Sequence, residues 1–209
     1  ELLESEHGAD IHLAMIPESR HDPRIRRGIR RPRWQTGRML DALPLPHSFE
    51  SRIGTALLRR ATVDDTDAVI ALLADDPISA ARGDVASADD RPAYERGLRE
   101  ILSEPSNDLL VVELDGAVVG TLQLTSIPGM ARRGARRLLV EAVRVQSTLR
   151  SSGIGSAVMR WVGEIAAPAV GAAMVQLTSD AARVDAHRFY ERLGYVGSHR
   201  GFKFTVPSS

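Results

Sequence analysis

The stretch "EAVRVQSTLRSSGIGSAVM", residues 141–159, decides the reading of the fold. Its opening residues are rich in valine and read as the end of a β-strand. Further on, Ile154, Val158, Val162 and Ile165 recur at helical spacing. Gly153 and Gly155 stand where that helix begins, although glycine costs about 1 kcal/mol relative to alanine inside a helix. A strand that runs through a short loop into a glycine-rich first turn offers free backbone N–H groups, and the helix dipole adds to their pull on a phosphate. Glycine removes the Cβ that would keep a phosphate away from the backbone, and Arg150 can add a charge-assisted contact. The competing explanation is that the glycines let helix and strand pack closely. The spacing is neither the Gly-Lys-Ser/Thr of a P-loop nor the Gly-x-Gly-x-x-Gly of a dinucleotide fold.

The pattern around this stretch is regular from residue 54 on. "ALLRRA" (56–61) is expected to form a strand. "TVDDTDAVIALLAD" (62–75) is expected to form a helix, with Thr62 and Asp65 at capping-box-like spacing and Val69, Leu72 and Leu73 on an apolar face. "DDRPAYERGLREIL" (89–102) predicts a second helix with proline in its first turn. "DLLVVEL", Asp115-Gly116 and "AVVGTLQL" predict a hairpin, because Asp-Gly suits the tight turns that match strand twist. "ARRLLVEAVRVQ" (135–146) is a further strand, followed by the helix at 153–166. "AAMVQLTS" (172–179) reads as a buried strand and "RVDAHRFYERLG" (183–194) as a helix stopped by Gly194. "YVGSHRGFKFTV" (195–206) reads as a last strand. The order β-α-α-β-β-β-α-β-α-β predicts an α+β domain over residues 53–209. Its mixed central sheet of six or seven strands is flanked by about four helices.

Composition narrows the function. The 27 basic and 27 acidic residues balance, so net charge gives no sign of a polyanionic partner. There are no cysteines, which excludes disulfides, thiolate metal sites and a cysteine nucleophile. The six histidines lack metalloprotease-like spacing, so no metal is expected. No apolar run approaches the roughly 20 residues of a membrane span, no signal peptide is visible, and a cytoplasmic location is expected. Residues 1–52 show no periodicity. The arginine-dominated "RHDPRIRRGIRRPRWQTGR" (20–38) cannot bury enough apolar surface to offset its ordering entropy. Residues 1–52 are therefore read as disordered or leader-like, with Met39 as a candidate start. A basic arm for nucleic acid, with Trp34 stacking, is the alternative.

Residues 141–159 resemble the central motif of the GCN5-related N-acetyltransferase (GNAT) superfamily: a strand E-x-V-x-V, then R/Q-x-x-G-x-G/A, then a helix. "DAHRFYERLGY" (185–195) resembles the same superfamily's A-x-x-F-Y-x-x-x-G-F/Y signature, at the expected distance downstream. Together with the element order, the resemblance covers about residues 56–206. It implies binding of acetyl-CoA and transfer of its acetyl group to an amine. It also implies that the backbone of Arg150, Ser151, Ser152, Gly153, Ile154, Gly155 and Ser156 cradles the pyrophosphate. Val143, Arg144 and Val145 would lie along the pantetheine, with an N–H near Val143 polarising the acetyl carbonyl. Two positions depart from the pattern: Ser151 replaces a glycine, and Arg183 replaces an asparagine that often contacts the pantetheine arm.

The same register makes Glu141 the candidate general base, acting directly or through water, with partial burial expected to raise its pKa. Its alternative role is an ion pair with Arg137 or Arg144. Tyr190 is the candidate general acid at the leaving sulfur, with plain packing as the alternative. His187, one turn earlier, reads as a surface residue that with His199 could touch substrate. The acceptor surface is expected from residues 76–92, the 126–135 hairpin and the C-terminal strand. Arg132, Arg133, Arg136 and Arg137 hint at an anionic acceptor, and a solvated hairpin tip explains them equally. A small-molecule amine is the expected partner and a homodimer a candidate assembly; nucleic acid and membrane are not expected. The alternatives are a non-catalytic acyl-CoA sensor, or an enzyme acting on a protein N-terminus, a lysine or an aminoacyl-tRNA.

Overall fold

The structure, a computed structural model, describes residues 38–81 and 83–207. Six strands form one sheet in chain order: β1 (His47–Ser51), β2 (Gly54–Arg60), β3 (Asn107–Leu114), β4 (Ala117–Ile127), β5 (Arg137–Val145) and β6 (Met174–Leu177). Every neighbouring pair is antiparallel except β5 and β6, which run parallel. A parallel pair needs a crossover, and α5 (Ile154–Trp161) supplies it. This helix continues through a π turn, Val162–Ala166, into α6 (Ala167–Ala169). Pro168 lacks an N–H to donate four residues back, and widening the turn just before it accommodates that loss.

The β3–β4 hairpin turns at Asp115-Gly116, where both residues take positive φ, as the sequence predicts. All of β3 except Asn107 and Glu113 is buried, because helices cover both faces of the sheet. Leu110, Val112, Leu122, Leu124, Leu138 and Val140 face Ile154, Val158, Met159 and Val162 on the α5 side. Leu109 and Val111 face the other side. There α1 (Thr66–Ala74) and α3 (Arg91–Ser103) contribute Val69, Leu98 and Ile101. Between those helices lies the short α2 (Pro77–Ala80), with Asp76 as its N-cap. After β6 comes α7 (Val184–Arg192), and Gly194 follows it in the left-handed conformation.

Three expectations need correction. First, residues 38–52 are not disordered. Met39–Ala42 forms a 3-10 turn that buries Leu40 completely, Leu43 is buried nearby, and β1 pairs along β2. Arg60 fastens this turn: its guanidinium donates to the Leu40 carbonyl at 2.5 Å and to Asp108 Oδ2 at 2.8 Å. Leu40 and Leu43 are isolated apolar anchors followed by Pro44 and Pro46 and give no periodicity, so the sequence pattern does not disclose the anchoring. The disorder reading of residues 1–37 falls outside the described residues. Second, β6 is not fully buried. It is an edge strand with Gln176 exposed. Third, residues 195–206 form no strand. Phe202, Phe204 and Val206 alternate as a strand would, yet remain 91%, 87% and 78% exposed. The 126–135 connection is a single turn, α4 (Ala131–Gly134), in which Arg132 and Arg133 take left-handed angles.

Leu40 lies in the segment that composition marks as dispensable, so it separates the two descriptions. Leu40→Ala should cost about 2–5 kcal/mol in urea denaturation, as for other fully buried leucines. A loss under about 0.5 kcal/mol would mean that the turn does not pack on the sheet.

Candidate active site

The site grows from an irregularity in β5. Gln123 opposes Glu141 and Thr121 opposes Arg144, so Leu122 alone faces both Ala142 and Val143. This is a β-bulge, and Ala142 sits at φ +50° to make it. Pairing between β5 and β6 stops just before it, at Val140 and Leu177. Beyond that point β5 stays with β4, as far as Val145 opposite Gly120. Residues 141–145 therefore have no strand on their β6 side among the described residues.

This free edge runs through a turn, Ser147–Leu149, into the loop before α5. Asp75, at the end of α1, holds that turn by accepting from the Ser147 N–H (2.5 Å) and hydroxyl (2.8 Å). Those bonds keep its carboxyl below the usual range, the backbone N–H contributing most. Ser151 (φ +65°) and Gly153 (φ +94°) are both left-handed. Arg52, in the β1–β2 turn, donates its N–H to the Ser152 carbonyl (2.8 Å) and its guanidinium to the Ser151 carbonyl (3.1 Å). The N–H groups of Ser151, Gly153, Ile154, Gly155 and Ser156 have no acceptor among the described residues. Five unclaimed donors in a left-handed loop at a helix start make an anion-binding concavity. Ile154 itself is buried and Arg150 exposed. At Gly155 the packing explanation also applies: a Cβ there would lie 3.5 Å from the Phe189 ring and 3.8 Å from Val145.

Phe189 brings α7 to this end of β5. Tyr190 beside it is half-buried, stacked edge-on against Phe189 (5.1 Å) and Tyr195 (5.8 Å). Burial pushes its phenol above the ordinary value of 10, with Arg144 and Arg183 opposing the shift. Burial also pushes Tyr195 up, to about 12. Facing Tyr190 is a charged cluster that sequence reasoning missed. Asp76 is 4% exposed and accepts from the Ser79 N–H (2.8 Å) and from both terminal nitrogens of Arg183 (2.5 Å each). Arg183 above all holds this carboxyl well below the usual carboxylate range. Arg144 donates to the Ser79 hydroxyl (2.6 Å) and the Val143 carbonyl (2.8 Å), and burial lowers its pKa. The Asp-Pro pair at 76–77 is a legible helix start. Its arginine partners, 68 and 107 positions downstream, are not.

Glu141 stands on the α1/α3 face of the sheet, opposite Gln123. It is exposed rather than partly buried, and it pairs with neither Arg137 nor Arg144. A cavity of about 480 Å³ opens on the same face between α1, α3 and the sheet, lined in part by Thr121, Gln123 and Ala142. The structure thus gathers the α5 loop, Val145, Phe189 and Tyr190 at one end of the bulge. Glu141 stands at the other. His187 bonds the Asp180 carbonyl (2.9 Å), and His199 bonds only Ser198 (2.7 Å). No cluster of metal-ligating side chains occurs among the described residues. No helix among them is long and apolar enough to cross a membrane.

Strand β5 thus bulges, leaves its parallel neighbour and delivers its free edge to a donor-rich helix start. Residues 67–195 match the Acetyltransferase (GNAT) family. The chain belongs to that family. It is 33% identical over 148 residues to the aminoalkylphosphonate N-acetyltransferase of Salmonella typhimurium, covering 71% of this chain and 88% of that protein. A solved transcriptional regulator from Bacillus halodurans is 34% identical with a TM-score of 0.68, over 77% of this chain and 100% of that one. A predicted acetyltransferase with acetyl-CoA, from Clostridium acetobutylicum, shares the fold at 15% identity and a TM-score of 0.54, over 72% and 96%. The chain is an N-acetyltransferase.

The Asp76 cluster has a measurable weight. Asp76→Asn strands two guanidinium groups and should cost about 3–5 kcal/mol in chemical denaturation. The bound carboxylate contributes stability above its unfolded pKa of 3.8 and loses it as pH falls through the lower folded value. The gap between wild type and variant should therefore hold steady from about pH 5 to 8 and narrow only in acid. A gap that widens on acidification would contradict the pairing.

Proposed function

We propose that the chain moves the acetyl group of acetyl-CoA to the primary amine of a small molecule, by direct transfer in a ternary complex. The observation that carries this reading is the free edge of β5 running into five unclaimed N–H groups. An extended pantetheine finds backbone partners along Val143–Val145, and the pyrophosphate finds donors between Ser151 and Ser156. The hydroxyl of Ser179, just past β6, and Nε of Arg144 are buried without hydrogen-bond partners, which suits a polar ligand arm between the splayed strands. Arg183, committed to Asp76, does not replace the asparagine it displaces; it fixes the wall instead.

Acetyl-CoA supplies a thioester activated for attack. The residues supply orientation and proton transfer. Glu141 takes a proton from the incoming ammonium, directly or through water, and its exposure leaves it open to the amine. The N–H near Val143 polarises the carbonyl as the C–N bond forms. Tyr190 gives a proton to the sulfur as the C–S bond breaks, and the second proton, shed by the newly bonded nitrogen as the amide forms, returns to the phenol through water. Its raised pKa keeps that proton in place: the acid form persists until pH rises beyond the ordinary phenol value of 10. With no cysteine in the chain, no acyl-cysteine step arises.

Gly153→Val forces a branched side chain onto φ +94° and should weaken acetyl-CoA binding roughly tenfold or more while the chain stays folded. Unchanged affinity by calorimetry would remove the loop from the site. Glu141→Gln should lower kcat/KM most near neutral pH and less in alkali, where the amine deprotonates unaided. Tyr190→Phe should lower kcat by roughly 10²-fold with acetyl-CoA affinity retained. Full activity in both variants would void these roles.

A further inference from the structure

Resting on the acetyltransferase reading, we propose that the cavity at the bulge accepts an amine on a neutral, apolar body, an alkyl- or arylalkylamine, and rejects anionic amines such as aminoalkylphosphonates. The cavity of about 480 Å³ has the size of a small-molecule site, and it reaches Ala142, where β5 bulges. Its walls are Val69, Ile70 and Leu73 from α1 and Leu98 and Ile101 from α3. Two small residues one helical turn apart on α3, Ala93 and Gly97, leave the room between them. A Cβ built on Gly97 meets nothing within 4 Å.

The charges around this space are wrong for an anion. No arginine, lysine or histidine lines it among the described residues, and the one charged lining residue is Asp90. A second carboxylate, Asp84, accepts from the hydroxyl of Tyr94, which also lines the cavity (3.0 Å). A phosphonate placed here would give up its hydration without gaining a cation. Arg144, two residues past Ala142 on β5, is engaged with Ser79 and Val143, Arg183 with both oxygens of Asp76, and Arg91, beside Asp90, with Asp67 and Glu95. The arginines near α4 lie at the opposite end of β5. Arg137 is five residues from Ala142, about 17 Å along an extended strand. At the sheet end Thr121 and Gln123 give the cavity uncharged polar lining, and Gln123 stands opposite Glu141. An amine at the bulge with its hydrocarbon between α1 and α3 matches this polarity.

The test is a set of acceptors offered with acetyl-CoA and read by thiol release. Hexylamine and 2-phenylethylamine should exceed aminomethylphosphonate and 1-aminoethylphosphonate by about tenfold or more in kcat/KM. Gly97→Leu fills the cavity and replaces a poor helix former, so it should keep or raise the melting temperature. It should also raise KM for 2-phenylethylamine about tenfold and leave acetyl-CoA affinity unchanged. Faster turnover of the phosphonates, or an unaltered KM in Gly97→Leu, would overturn the inference while leaving the acetyltransferase reading intact. Failure of every amine with folded protein would remove both.

Discussion

One extra residue in β5 sets the geometry on which the site depends. With Ala142 and Val143 sharing a single partner, β5 must bend, and an L-residue at positive φ is the local cost, of order 1 kcal/mol. The bend keeps β5 on β4 while β6 departs, which frees a strand edge that would otherwise be paired. It also interrupts the alternation of side chains. Leu138 and Val140 face the α5 core before it, Val143 and Val145 pack there after it, and Arg144 is left on the side of Ser79. A strictly regular strand could not offer apolar packing, a free edge and a buried arginine within four residues.

The charged cluster complements that bend. Asp76 caps α2, Arg144 comes from β5, and Arg183 precedes α7, so one carboxylate ties three elements that share no hydrogen-bonded ladder. Such an arrangement is not a source of net stability in itself, because each ion gives up its hydration. It specifies position: α7 cannot slide without stripping both oxygens of Asp76. Tyr190, two turns further along α7, inherits its placement from that restraint and from the rings of Phe189 and Tyr195. Ser147 on Asp75 extends the same logic by one residue, joining α1 to the turn below the anion loop.

What the sequence discloses follows from where each signal is stored. Gly153 and Gly194 mark left-handed backbone conformations directly, so the α5 start and the α7 stop are legible. The Asp115-Gly116 hairpin was legible for the same reason. Ala142 was not, since alanine carries no mark of positive φ. Leu40 and Leu43 anchor a segment otherwise rich in charge and proline, and single anchors leave no period to detect. The alternation of Phe202, Phe204 and Val206 describes a pleat, but a pleat becomes a strand only against a partner, which local pattern cannot supply. Glu141 falls on β5 as its strand pattern predicts, but its exposure does not follow from the sequence, because that depends on how far α1 and α3 stand from the sheet.

Arg52 carries a consequence of a different kind. It lies in a two-residue turn of the β1–β2 hairpin and has no chemical part in transfer, yet it takes the carbonyls of Ser151 and Ser152. The peptide plane of the Ser152 carbonyl also carries the Gly153 N–H, so holding that oxygen on one side presents the unclaimed hydrogen on the other. The polarity of the anion loop is thus written from outside, by the chain's N-terminal hairpin. Any alteration of that hairpin, whether a shortened turn, a fused segment or a change at Arg52, would re-aim the loop's donors without replacing a residue of the loop.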